Sequence, residues 1–121
     1  MTVGKIGNAT TIVSEHNTAK AVGSGDLQVF STPMMIALME QAACNCLTDI
    51  NDGQSSVGTQ ISVAHVAASA LGANISATAT ITEIDGRKVS FSVVAHEGTK
   101  EIGKGTHERF IIDVERFMSK I

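Results

Sequence analysis

Two hydrophobic periods divide the chain. From Met34 to Leu47 the residues are apolar almost all round, with Glu40, Gln41 and Asn45 as the polar interruptions. Such a stretch predicts a helix buried on most of its sides. Thr32-Pro33 opens it, because Thr caps a helix N-terminus well and Pro suits the first helical position. Asn51-Asp52-Gly53 is a stop and turn signal, so the helix is expected to end near Ile50. Beyond it the period falls from 3.6 to 2. In Ser56 to Val66, the residues Val57, Thr59, Ile61, Val63 and His65 share one expected strand face. Ala73 to Ile84 puts Ile75, Ala77, Ala79 and Ile81 on one side, and Lys88 to His96 does the same with Val89, Phe91, Val93 and Ala95. Asp85-Gly86 and Glu97-Gly98 are turn signals between these runs, and Ile102 to Val114 reads as a last long strand. Ahead of the helix, Thr10 to Glu15 reads as a strand, Asn17 to Val22 as a short helix and Gly23-Ser24-Gly25 as a loop.

This order predicts an α+β domain in which an antiparallel sheet of about five strands wraps one long buried helix. The 121 residues fit a single domain spanning 1–121. A lone sheet of this kind keeps an unpaired edge strand, so self-association as a homodimer is expected, with a tetramer as the alternative.

Composition narrows the function. The chain is 43% hydrophobic and 17% charged, enough apolar material for a core. With no Trp, no Tyr and a net charge of −3, it lacks both the stacking platforms and the basic footprint of a nucleic-acid binder. No apolar run approaches the roughly 20 residues of a membrane span, so no membrane partner is expected. Met1 to Thr10 has no apolar core of a signal peptide, which makes the cytoplasm the expected location. Cys44 and Cys46 are spaced C-x-C without a second pair, and read as buried free thiols rather than a metal site. No metal and no separate cofactor is expected.

Glu40 is the residue most open to chemistry. Its helical neighbours Ile36, Ala37, Ala43 and Cys44 are small or apolar. An unpaired ionised carboxylate there costs several kcal/mol, roughly. It must therefore be paired, reach a cavity, or titrate in a range suited to acid–base work. Thr32 is explained by capping alone, yet a hydroxyl beside the free N–H groups of a helix start also favours an anion. Thr32 and Glu40 lie eight residues apart, about 12 Å along a helix, so they can serve one site only by flanking a substrate or by coming from two subunits. His65 sits near a strand end on the apolar face and suits either a satisfied core position or catalysis. Gly58 marks either a bulge or a close approach of backbone to a ligand. His96 and His107 fall on neighbouring strands without metal-ligand spacing, and His16 reads as a surface residue. Gly103-Lys104-Gly105 lacks the context of a phosphate loop. Arg109 can pair with Glu108 or with a neighbouring strand, or meet an anionic ligand.

Read together, these blocks resemble the fluoroacetyl-CoA thioesterase-like family of hotdog thioesterases. The resemblance runs from about Ala21 to Phe117. It rests on Gly23-Ser24-Gly25-Asp26-Leu27, Phe30-Ser31-Thr32-Pro33-Met34 with Leu38-Met39-Glu40, Ser56-Val57-Gly58-Thr59 with His65 and Ala67-Ala68, Asp85-Gly86-Arg87, and Ile102-Gly103-Lys104-Gly105-Thr106-His107-Glu108-Arg109. It implies a dimer with its active site at the subunit interface. It also implies catalysis by Thr32, Glu40 and His65, with Gly58 beside the substrate carbonyl. Thr59 and Arg109 are the further expected substrate-binding residues, and coenzyme A enters as part of the substrate. The stretch Lys20 to Gln28 is short and holds no Phe where the family's fluoroacetyl-selective lid does, so that selectivity is not implied. Pro33 replaces a family Gly, and the turn Ala67 to Gly72 lacks the family's prolines. The expected activity is hydrolysis of a small acyl-CoA thioester. The alternatives are a non-catalytic acyl-CoA or small-acid binding protein, and an enoyl-CoA hydratase or dehydratase of the same fold.

Overall fold

The computed structural model describes residues 1–121. Its elements are β1 (Ile6–Ile12), α1 (Ala19–Val22), α2 (Thr32–Asn45), β2 (Gln54–His65), β3 (Asn74–Asp85), β4 (Lys88–Glu97), β5 (Lys100–Asp113) and α3 (Val114–Ser119). The strands form one antiparallel sheet in the order β1-β3-β4-β5-β2, which leaves β1 and β2 as its edges. This is the α+β sheet-around-helix arrangement that the hydrophobic pattern predicts.

The core is the meeting of two periodicities. Helix α2 contributes Met35, Leu38, Met39, Ala42 and Ala43, all buried. The sheet answers with Ile75, Ala77, Ala79 and Ile81 of β3 and Val89, Phe91, Val93 and Ala95 of β4, again all buried. The alanines keep helix and sheet close, and Gly7 of β1 is required there because a Cβ would run into the Ala42 carbonyl of α2.

Several local features differ from the sequence expectation. The helix is capped one residue earlier: the Ser31 hydroxyl accepts from the Met34 N–H at 3.2 Å, so Thr32 is the first helical residue and Pro33 the second. The helix stops at Asn45 rather than near Ile50. Cys46 caps it, and Leu47 enters the core from the following turn. Strand β1 lies upstream of the expected Thr10–Glu15, because its inward positions are Gly7 and Ala9, too small to show as an apolar alternation. The hairpin loops are Gly86-Arg87 and Gly98-Thr99, each one residue later than the turn signals, since Asp85 pairs with Lys88 and Glu97 with Lys100. Helix α3 is too short to show a period; the expected last strand takes in only its first residue, Val114. Of the cysteines only Cys46 is buried. Cys44, two residues and about 200° round the helix, is exposed.

One difference bears on chemistry. The β2–β5 register slips between Gly58 and Gln60, leaving Thr59 as a bulge. A single extra residue reverses the facing of everything before it. Val57 and Thr59 therefore do not share the face of Ile61, Val63 and His65. Gly58 and Ser56 do, opposite the inward-facing Arg109 and Ile111.

Candidate active site

The site residues gather at two places along α2. At its start, the Thr32 hydroxyl lies 2.8 Å from His65 Nδ1 at the end of β2. Because Ser31 does the capping, the Thr32 hydroxyl is released from the backbone and free to engage the imidazole. Burial pushes the His65 pKa below the ordinary imidazole value, against a smaller upward pull from the backbone at Ala67. A neutral ring with its proton on Nε2 accepts the Thr32 O–H at Nδ1. His65 Nε2 is itself buried without a hydrogen-bond partner within the chain. The pair borders a cavity of about 290 Å³, walled by Ala19, Val29, Phe30 and Val66 among others. The cavity wall is mixed, with Ser24, Ser31, the Thr32 hydroxyl and the His65 ring set among apolar side chains.

Two turns further along α2, Glu40 meets Arg109 of β5. Arg109 Nη1 donates to Glu40 Oε2 at 3.2 Å. Of the three resolutions expected for Glu40, the structure shows two: the carboxylate is paired, and it reaches a cavity. That cavity, about 220 Å³, is lined by Glu40, Gly58, Thr59, Gln60, Ile61 and His107. The Glu40 side chain keeps 40% exposure, whereas Arg109 keeps 9%. Gly58 has a steric reason to be glycine: a Cβ there would sit 2.7 Å from Glu40 Oε2 and 3.3 Å from Arg109 Nη1.

Arg109 is turned inward rather than toward an external anion. Nε donates to Ser56 Oγ at 2.9 Å and Nη2 to the Ser56 carbonyl at 3.1 Å. Its expected alternative partner, Glu108, faces the other way and approaches Lys88 at 3.9 Å. Thr59 borders the Glu40 cavity, with its hydroxyl donating to the Glu108 carbonyl at 3.3 Å. His96 lies opposite Glu101, and His16 projects into solvent; neither lines either cavity. Gly103 and Gly105 serve packing, because Cβ atoms would collide with Met35 and with the β2 backbone. Three contributors were not singled out from the sequence: Ser31, Ser56 and His107. For His107 a signal existed, since it stands two residues before Arg109 on the same strand and so on the same face.

Thus Thr32 and His65 come together, as do Glu40, Gly58, Thr59 and Arg109, but the two groups open on separate cavities of one chain.

Comparison with known proteins places this arrangement. The family model described as fluoroacetyl-CoA-specific thioesterase matches residues 13–115. The chain is 41% identical over 95 residues to the fluoroacetyl-CoA thioesterase of Streptantibioticus cattleyicolor, across 78% of this chain and 68% of that protein. A solved structure of the fluoroacetyl-CoA thioesterase FlK superimposes with a TM-score of 0.92 at 35% identity, covering 99% of this chain and 94% of that one. A thioesterase superfamily member from Thermus thermophilus shares the fold, with a TM-score of 0.89 at 23% identity over 98% of this chain and 89% of its own.

Proposed function

The chain belongs to the fluoroacetyl-CoA-specific thioesterase family and is a hotdog-fold thioester hydrolase; from that premise we propose that it hydrolyses a small acyl-CoA at a site completed between two copies of the chain. The observation that carries the two-copy reading is the split of the site residues between two cavities. Strand β2 is a sheet edge of 12 residues with its outer hydrogen-bonding groups unpaired. Antiparallel pairing with the β2 of a second copy would extend the sheet. It would also bring the His65 end of one strand toward the Gln54–Gly58 end of the other. Thr32 and His65 of one copy would then face Gly58 and Glu40 of its partner.

At such a site the thioester carbonyl lies against the Gly58 backbone. Glu40 acts as general base on water, or attacks the carbonyl carbon itself to form a mixed anhydride that water then opens. Either way the C–S bond breaks and the leaving thiolate takes a proton through Thr32 and His65. In the general-base route water supplies the new oxygen of the acid and its proton passes to Glu40 and on to solvent; in the anhydride route water attacks the Glu40 carbonyl, its oxygen stays in Glu40, and an oxygen of Glu40 departs with the acid. Arg109 keeps Glu40 aimed through the 3.2 Å contact from Nη1. The segment Lys20 to Gln28, which borders the Thr32 cavity through Ser24, carries no aromatic side chain. Fluoroacetyl selectivity is therefore not part of this proposal. No helix of the chain is long and apolar enough to cross a membrane, and we place its action in the cytoplasm, where acyl-CoA is found.

The test is free-thiol release from a panel of short-chain acyl-CoAs, with Glu40→Gln beside the wild type. Wild-type turnover that falls about 10²- to 10⁴-fold in Glu40→Gln is the expected result. Undiminished turnover in that variant defeats the mechanism. Incorporation of ¹⁸O from labelled water into Glu40 would select the anhydride route over general base. Sedimentation at the assay concentration should show a dimer, and a monomer that turns over fully would overturn the two-copy site.

A further inference from the structure

His107 is 2% exposed, yet it is polar and lies within the Glu40 network. Its ring stacks on Phe91 of β4, with centroids 5.9 Å apart. Nδ1 lies 2.7 Å from the Gln60 carbonyl, the residue just past the β2 bulge. A carbonyl only accepts, so Nδ1 carries a proton. Nε2 lies 3.2 Å from Arg109 Nη1, which only donates. The two contacts together define one state of the ring: neutral, protonated at Nδ1, with the Nε2 lone pair toward Arg109. Nη1 has two hydrogens, one for His107 Nε2 and one for Glu40 Oε2. Ser56 takes the Nε hydrogen and one hydrogen of Nη2.

We propose that His107 is a positioning residue for the hydrolysis: its Nε2 lone pair orients Arg109, which in turn aims the Glu40 carboxylate. The proposal rests on the reading of Glu40 as the catalytic carboxylate. The groups facing the ring are Glu40 from α2, Gln60 from β2, Phe91 from β4 and Arg109 from β5, while Glu108, on the other face of β5, acts only through its charge. Burial and the Arg109 charge lower the His107 pKa, while Gln60, Glu40 and Glu108 draw it up. A proton added at Nε2 would point at a hydrogen of Arg109. It would also let the ring compete for Glu40 Oε2, 4.0 Å away. The neutral ring is therefore the working state.

Two variants and one spectrum test this. His107→Phe keeps a planar ring against Phe91 but removes the acceptor. His107→Gln restores an acceptor oxygen near the Nε2 position. His107→Phe should lower kcat about 10- to 100-fold, because a misaimed carboxylate is the cost of the change. KM should stay within about twofold, since the ring borders the Glu40 cavity but at 2% exposure offers almost no surface to a substrate. His107→Gln should recover most of the lost kcat. Nitrogen-15 spectra of the folded wild type near neutral pH should show His107 with a protonated Nδ1 and a bare Nε2. Full kcat in His107→Phe overturns the proposal. So does an equal loss in both variants, which would mark a packing role, and so does an Nε2–H or doubly protonated ring, whether or not His107→Phe folds. Failure of the wild type to release thiol from any acyl-CoA would defeat the thioesterase reading, while the spectrum would still decide whether the His107–Arg109 arrangement exists.

Discussion

The start and the middle of α2 are built by opposite means. At its start a neutral hydroxyl and an imidazole meet through one 2.8 Å contact, on the wall of a cavity of mixed polarity. Two turns on, a carboxylate is fixed by a permanent cation whose own hydrogens are distributed among Ser56, His107 and Glu40. The first arrangement depends on protonation state and leaves its partners free to exchange a proton. The second is held by hydrogen bonds that converge from β2 and β5, and it keeps one charge in place. A thioesterase needs both: a fixed base or nucleophile for the carbonyl, and a transferable proton for the leaving group.

The comparison is broken most strongly at Thr32. Thr32→Val should lower kcat by about 10²-fold or more while changing stability by less than about 0.5 kcal/mol. Ser31→Ala should do the reverse, costing about 1 kcal/mol by removing the cap, with a small effect on rate. Paired thiol-release and denaturant-melt measurements separate the two hydroxyls. A Thr32→Val protein that melts early and turns over normally would return Thr32 to a capping role.

At the middle of the helix, Gly58→Ala tests how tightly the carboxylate is placed. The new Cβ must displace Glu40 Oε2, the tip of a flexible side chain, so the fold should survive. The rate should fall about tenfold through misalignment. Wild-type kcat in a folded Gly58→Ala protein would show that Glu40 has slack the structure does not suggest.

The smallest effect concerns pH. Both His65 and His107 have pKa values lowered by burial. As pH falls below the unfolded-chain value of about 6.5, the unfolded state takes up protons that the folded state refuses. Stability from these rings is thus complete above that pH and drains away below it, toward the folded values. Denaturant midpoints should be lower at pH 5.5 than at pH 7.5, and the difference should shrink in His107→Gln. A midpoint that does not move across that interval would show that neither ring is held neutral by the fold.

Much of this was legible along the chain. The alternation in β3 and β4 names the buried face correctly, residue by residue, because a strand exposed on one side must place its apolar residues at every second position. The apolar helix and its one carboxylate were equally plain, but the expected burial on most sides is not what the chain shows: only the face of Met35, Leu38, Met39, Ala42 and Ala43 is buried, because the sheet covers the helix from one side. The turn loops were off by one, since Asp-Gly and Glu-Gly mark a chain reversal without saying which residues still pair. Strand β1 was misplaced because glycine and alanine bury without looking hydrophobic. Helix α3 was lost because six residues carry too little period.

What the sequence by itself determined is the set of elements, their buried faces and the residues with chemistry to offer, all consequences of local periodicity and of the cost of burying a charge. What only the tertiary structure decided is which of those residues meet. The Thr59 bulge turned Gly58 to the inner face, a one-residue matter of register that no local pattern records. The choice of Ser31 over Thr32 as the cap freed a hydroxyl for His65, 33 residues away. Glu40 found Arg109 across 69 residues of chain because α2 packs within the sheet whose β5 carries the guanidinium. Hydrogen bonds act over about 3 Å in space whatever the distance along the chain, so only packing could bring these partners within reach.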